Sequence, residues 1–250
     1  MKTFHVSTND HGQPIVQVVA NKLRISKKQA KKLLDAKKVF VNGKRLWMAQ
    51  SPLTEGDKIE VQEVVKHEVN IGSNAFLYRD EELLIIDKPP GITTNGDESL
   101  ELHLRGILKV PSLLAVHRLD RDTSGCVIFA MSKGIKDKLE ELFRKKSVVK
   151  HYSALVYGWV PGEIEEIKKA LDGKPALTKV SIVSANQHAS HVRLQILTGR
   201  MHQIRRHMAA IRHPVIGDKD YATERVDFGA LRMVERQMLH ATSLEFESPF

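Results

Sequence analysis

The sequence predicts an α+β protein in two parts, a small basic domain followed by a larger domain built on a sheet. Residues 63–75 are a polar, charged stretch that closes on Gly72-Ser73-Asn74 and reads as a linker. Before it, two helical periods and one tight hairpin fill residues 14–62. After it, short apolar runs stopped by proline, glycine or charge alternate with helical stripes, the pattern of buried strands and covering helices.

Residues 1–13 are polar without a clear period and read as an ordered lead-in or a tail, outside the small domain. Ile15, Val18, Val19 and Leu23 then recur at helical spacing. Ser26 suits the N-cap of a second helix over 27–37, with Ala30, Leu33 and Leu34 on its apolar face. Lys27, Lys28, Lys31 and Lys32 cover the rest of that helix. Asn42-Gly43, between β-type residues, predicts a hairpin because both turn positions need positive φ. Lys44 and Arg45 follow it, and after the turn at Glu55-Gly56-Asp57 comes a short strand, Lys58-Ile59-Glu60-Val61. Lysines gathered on one helix, beside Lys37, Lys38, Lys44 and Arg45, suit tracking of phosphates, although such a face also serves solubility alone.

Leu83-Leu84-Ile85-Ile86-Asp87 reads as a buried strand, ended by Lys88-Pro89-Pro90-Gly91, where two prolines remove backbone donors. A helix over 100–108 follows. The polar run His117-Arg118-Leu119-Asp120-Arg121-Asp122-Thr123-Ser124-Gly125 precedes a buried strand, Cys126-Val127-Ile128-Phe129-Ala130-Met131, so a charged loop is anchored on a sheet. Residues 138–145 read as a helix with Leu139, Leu142 and Phe143 inward. Residues 150–158 alternate as a strand with Tyr152, Ala154 and Val156 on one face, and 192–197 read as another strand. From Met201 the period turns helical, placing His202, Arg205 and Arg206 on one polar flank. His213-Pro214 breaks that helix, and a late strand begins at Met238.

The formal charge of +9 points to a polyanionic partner, nucleic acid before membrane. One cysteine excludes an internal disulfide framework and a cysteine-rich zinc site and suits a reducing cytoplasm. No apolar run suits a signal peptide or a membrane span, so a soluble, cytoplasmic protein is expected.

Metal chemistry fits poorly, since His202 and His207 miss the i, i+4 spacing and arginines stand inside both polar clusters. Asp120 and Asp122 are too close on one loop to flank a glycosidic substrate, and Ser124 lacks a nucleophile-elbow pattern. A carboxylate partnered by arginine, whose charge favours the ionised form, is what remains, able to attack carbon or take a proton. The residues themselves do not choose between Asp120 and Asp122. On a nucleic acid, chemistry at a base requires its removal from the stack; Tyr152 offers an aromatic face to receive it and Arg118 a side chain to fill the space.

Residues 14–62, through Arg24-Ile25-Ser26, the lysine helix, the hairpin and Gly56-Asp57-Lys58-Ile59, resemble the α-L RNA-binding domain named for a small-subunit ribosomal protein. Most of residues 75–248 resembles the RluA-type RNA pseudouridine synthases. The resemblance rests on His117 to Gly125, on Leu83 to Gly91, on Lys150-His151-Tyr152 with Ala154 and Gly158, on Thr198 to His207 with His213-Pro214, Gly217-Asp218 and Tyr221, and on Leu239-His240-Ala241 with Phe246. It implies a catalytic domain over 76–250 with a mixed, mainly antiparallel sheet. It also implies a catalytic Asp120 with Arg205 as its ion-pair partner, Tyr152 stacked on the base, and Arg118 where the base leaves. His117, Arg200, Gln203 and Lys88 stand in the same motifs and are expected to contact substrate; Lys27, Lys28, Lys31, Lys32, Lys44 and Arg45 are expected to contact RNA. Two departures are that Thr93-Thr94-Asn95 replaces a frequent histidine and that Met201 stands where threonine or serine is frequent.

The implied reaction isomerises uridine in RNA, oxidises nothing and donates no group, so neither cofactor nor metal is expected, and a monomer is. The expected substrate is large-subunit ribosomal RNA, with transfer RNA as the alternative. A non-catalytic RNA-binding or ribosome-assembly factor on the same scaffold is the rival from another class, and would be marked by loss of Asp120, Tyr152 or Arg205, all of which are present.

Overall fold

The computed structural model describes residues 2–36, 38–46, 48–62, 71–222, 231 and 233–250. The chain divides into two compact units, Met1–Glu68 and Val69–Phe250.

In the first unit, strands β1 (Lys2–His5), β2 (Val39–Val41), β3 (Lys44–Arg45) and β4 (Lys58–Val61) form an antiparallel sheet in the order β1-β4-β2-β3. Helices α1 (Ile15–Leu23) and α2 (Lys27–Asp35) cover it, burying Ile15, Val18, Val19, Ala30 and Leu34 against Val39 and Ile59. Helix α1 stops where Arg24 turns left-handed (φ 54°), and Ser26 starts α2 with a reciprocal cap, Gln29 N–H to Ser26 Oγ (3.2 Å) and Ser26 N–H to Gln29 Oε1 (2.9 Å). The hairpin turn has the positive φ values its sequence requires, 49° at Asn42 and 77° at Gly43. Residues 2–13 are ordered, but they belong to this unit's fold and do not precede it. They supply β1, bury Val6 in the core and pair Asp10 with Lys22 at 2.9 Å. Phe4 is the one apolar residue of β1, too little to show an alternation. Residues 63–70 of the expected linker, and Lys37, lie outside the described residues.

The second unit contains β5 (Phe76–Arg79), β6 (Leu83–Lys88), α3 (Leu100–Leu108), β7 (Leu114–Ala115), β8 (Ser124–Ala130), α4 (Lys133–Arg144), β9 (Val149–Tyr157), β10 (Glu166–Lys168), β11 (Leu177–Ala185), β12 (Ala189–Ile196), α5 (Gln203–Ala210) and β13 (Leu239–Glu245). The strands form one sheet in the order β10-β11-β12-β9-β13-β8-β6-β5, with β7 also on β8. Among the described residues only the β13–β8 pairing is parallel, so the sheet is mixed and mainly antiparallel, as expected. All seven residues of β8 are buried: Val127 and Phe129 enter the main core, Ile128 and Ala130 a second core beneath α4. A strand covered on both faces reads as an unbroken apolar run. Gly125 is required where β8 meets β13, because its φ is 114° and a Cβ would strike the backbone of Ala241. No helix among the described residues is long and apolar enough to cross a membrane.

Candidate active site

The loop 117–123 leaves β7 and enters β8 at the middle of the sheet, and its backbone is pinned along its length. His117 Nε2 accepts the Ile128 N–H (3.1 Å), and the ring stacks on Phe143 at 5.0 Å. Thr94 Oγ1 accepts from Leu119 N–H (3.1 Å) and donates to Leu119 O (3.3 Å). The Gly91 N–H reaches Arg121 O and Arg121 Nε returns to Gly91 O, both at 2.9 Å. Gln237 Nε2 donates to Thr123 Oγ1. With the backbone held, Thr123 N–H closes a turn on Asp120 O (3.2 Å) and the Asp120 side chain faces a cavity of about 780 Å³. Asp122 is not among the residues lining that cavity.

Helix α5 brings the cation. Arg205 is buried, yet its guanidinium meets three carboxylates: Nε to Asp218 Oδ2 (2.6 Å), Nη2 to Asp218 Oδ1 (2.7 Å) and Asp220 Oδ2 (2.6 Å), and Nη1 to Asp120 Oδ2 (3.2 Å). Its face lies on the Tyr221 ring at 5.0 Å. Burial pulls the Arg205 pKa down, but Asp218 and Asp220 outweigh it and the net shift is upward. For Asp218, burial pushes upward and is outweighed by Arg205 and by the N–H groups of Asp220 and Tyr221, so the net is downward. His202 precedes α5 in a left-handed conformation (φ 52°), with Nε2 at 3.7 Å from Asp120 Oδ1 and Nδ1 at 3.0 Å from the Tyr221 hydroxyl. His207 points elsewhere, to Thr178 Oγ1 (2.8 Å) and Lys169 O (2.9 Å), so the two histidines share no site.

Tyr152 stands on β9 between Leu194 of β12 and Ala241 of β13, and lines the cavity with Asp120 and Arg205. Its hydroxyl has no hydrogen-bond partner among the described residues, and burial, then the charge of Asp120, pushes its pKa above the usual phenol value. It is therefore a neutral aromatic face with an uncommitted hydroxyl.

Of the residues expected to contact substrate, Arg118 and Arg200 line the cavity with accessible guanidinium groups; Arg118 has no partner among the described residues and Arg200 reaches only Pro175 O at 3.4 Å. The other three are spent on the fold. Lys88 is fully buried and gives its three protons to Pro89 O (3.0 Å), Ile92 O (2.9 Å) and Arg121 O (3.0 Å), tying the proline turn to the loop. Burial lowers its pKa to about 8, against the opposing charges of Asp122 and Asp120. Gln203 lines the cavity but is buried: Oε1 accepts from Thr198 Oγ1 (2.7 Å) and Arg200 N–H (3.1 Å), and Nε2 donates to Leu177 O (2.9 Å) and Thr178 Oγ1 (3.3 Å). His117 forms part of the wall, but its acceptor nitrogen is taken, and burial, with Lys150 nearby, brings its pKa down to about 3. Sequence reasoning missed the grip of Asp218 and Asp220 on Arg205, because they follow a helix break and no spacing rule pairs them.

In the first unit, Lys27, Lys28, Lys31, Lys32, Lys44 and Arg45 are all exposed, with Arg45 lying over the Phe40 ring at 5.5 Å.

Comparison with known proteins places the chain in a family. The family model described as RNA pseudouridylate synthase matches residues 82–210. The chain is 32% identical to ribosomal large subunit pseudouridine synthase C of Vibrio cholerae, over 95% of this chain and 86% of that protein. It is 30% identical to ribosomal large subunit pseudouridine synthase D of Escherichia coli, over 99% of this chain and 86% of that one. Among solved structures, human RNA pseudouridylate synthase domain containing 1 superposes with a TM-score of 0.61 at 28% identity, covering 70% of this chain and 79% of the human one.

Proposed function

The chain belongs to the RNA pseudouridylate synthase family and is an RNA pseudouridine synthase, and we propose that it acts on large-subunit ribosomal RNA with Asp120 as its catalytic carboxylate. The observation that carries the role of Asp120 is its place: it faces the cavity that Tyr152 also lines, and its ion pair is to a buried arginine. The names of the bacterial relatives support the choice of RNA. Pseudouridine formation breaks the bond between ribose C1′ and uracil N1, turns the ring, and joins C1′ to C5, which gives up its proton. An isomerisation of this kind asks the protein for a nucleophile or base, a surface that holds the detached ring, and dry walls. Asp120 is the first, Tyr152 supplies the second, and the strands beneath supply the third. Arg118, exposed at the cavity, fills the gap that a flipped nucleotide leaves in its helix.

Lys27, Lys28, Lys31, Lys32, Lys44 and Arg45 track the RNA backbone in this reading. In this reading the protein acts in the cytoplasm as a monomer; that one chain contributes Asp120, Tyr152, Arg205 and Arg118 to a single cavity supports the monomer. The test is to incubate Asp120→Asn and the parent protein with large-subunit ribosomal RNA and with transfer RNA, then map pseudouridine. The parent is expected to modify the ribosomal RNA, and the variant to bind it without modifying it. Pseudouridine made by the variant refutes the role of Asp120, and modification confined to transfer RNA refutes the substrate.

A further inference from the structure

Lys150 is the one buried cation at the cavity to which no function has yet been assigned. It lies on β9 two residues before Tyr152, hence on the same face of the strand and about 7 Å along it. Its side chain is one of the few buried charged groups, at 6% exposure, and lines the same cavity as Tyr152 and Asp120. No carboxylate among the described residues pairs with it. The ammonium has only a long hydrogen bond to Leu197 O (3.4 Å) and the face of Phe143 at 5.4 Å. The other buried cations are fully engaged: Lys88 by three carbonyls and Arg205 by three carboxylates.

A charge taken out of water with so few partners destabilises the fold, and its retention fits a ligand that completes it. Burial already draws the Lys150 pKa down to about 8, a cost that an arriving anion would relieve. Gly199 lies beside that nitrogen: a Cβ there would make an ordinary contact with the Lys150 ammonium, at 3.7 Å, and a longer side chain would cover it. Lys146, exposed on the same rim without a partner among the described residues, adds charge of the same sign.

We infer that Lys150 receives a phosphate of the RNA strand entering the cavity, at or next to the nucleotide whose base lies against Tyr152. The spacing of Lys150 and Tyr152 along β9 is of the order that separates a base from its own phosphate. Anchoring the backbone there fixes how deep the flipped nucleotide travels. This rests on the proposed reading of the site, and the experiment separates the two. The parent protein is first assayed on large-subunit ribosomal RNA; absence of pseudouridine there counts against the function, before Lys150 is altered.

With the modified uridine located, Lys150→Met is compared with the parent for KM, kcat, thermal stability and phosphate-ethylation interference. A charged hydrogen bond made on binding predicts a KM about 10- to 100-fold higher with a smaller change in kcat. The melting temperature should hold or rise, because an underpaired buried charge has been replaced by an unbranched apolar chain of similar shape. Ethylation of one phosphate beside the uridine should exclude RNA from the parent protein and not from the variant. Gly199→Leu, which covers the ammonium and leaves the charge in place, should raise KM likewise. Wild-type KM in either variant, a loss of activity that parallels a loss of stability, or the same interference pattern in both proteins overturns the assignment; the last of these would move the contact from phosphate to the uracil carbonyls.

Discussion

Arg205 holds its carboxylates unequally, so substitutions at two of them should separate stability from chemistry. Asp218 is fully buried, lies within 2.7 Å of two guanidinium nitrogens, and also accepts the N–H groups of Asp220 (3.0 Å) and Tyr221 (3.1 Å). Asp120 is 28% exposed at the side chain and makes the longest of the guanidinium contacts, 3.2 Å. In Asp218→Asn the amide NH2 would face a guanidinium N–H, leaving a buried positive charge poorly compensated. Breaking a buried pair costs about 3–5 kcal/mol, and because Asp120 and Asp220 remain, the lower end, about 3 kcal/mol, applies. For a unit of this size that is a fall of about 6–12 °C in melting temperature. Asp120→Asn, at a partly exposed side chain facing the cavity, should shift it by no more than about 2 °C while abolishing pseudouridine formation. Melting followed by circular dichroism, beside a modification assay on the same preparations, measures both. Equal melting temperatures for the two variants would refute the division of labour, since Arg205 would then be anchored as much by the catalytic loop as by Asp218.

His117 predicts a pH dependence. Its folded pKa of about 3 lies below the free value near 6.5, so the unfolded chain takes the proton first. Its contribution to stability is therefore complete above about pH 6.5 and is lost as pH falls toward 3, by up to about 1.4 kcal/mol per pH unit. His117→Gln keeps an acceptor near the Ile128 N–H without the titration, and unfolding free energies from urea titrations between pH 7 and 5 should fall less for it, by up to about 2 kcal/mol in total; parallel curves would contradict the neutral ring. Changing Lys27, Lys28, Lys31 and Lys32 together to Gln should weaken RNA binding and flatten the slope of log K against log salt by about 0.7–0.9 per lost phosphate contact. An unchanged slope would assign that face to solubility alone.

The elements legible in the sequence are those whose burial leaves one period. Helix α3 has the bounds expected of it, and β8 is a continuous apolar run because both of its faces are covered. Helix α4 begins five residues before its stripe, since Lys133 to Asp137 offer the core only Ile135. Two strands at one end of the sheet escaped: β11, next to the edge, alternates only in its first half, and the edge strand β10 carries Ile167 between Glu166 and Lys168. A strand that leaves one face or one edge to solvent need not look apolar.

The site divides along a different line. Asp120 and Asp122 are equivalent in a sequence and inequivalent in a turn, because the Thr123-to-Asp120 hydrogen bond lets only one of them face the cavity. Lys88, His117 and Gln203 occupy the same functional stretches as Arg118 and Arg200 and carry the same promise of recognition. What separates them is the number of hydrogen-bond partners the fold itself supplies. Lys88 has three carbonyls and Gln203 four partners, so their polarity is consumed in shaping the loop and the start of α5. Arg118 has none among the described residues and Lys150 one long bond, so their charge is left over. A sequence names the donors without counting their acceptors. In a protein that acts on a polyanion, the cations the fold leaves underpaired are the ones available to the substrate.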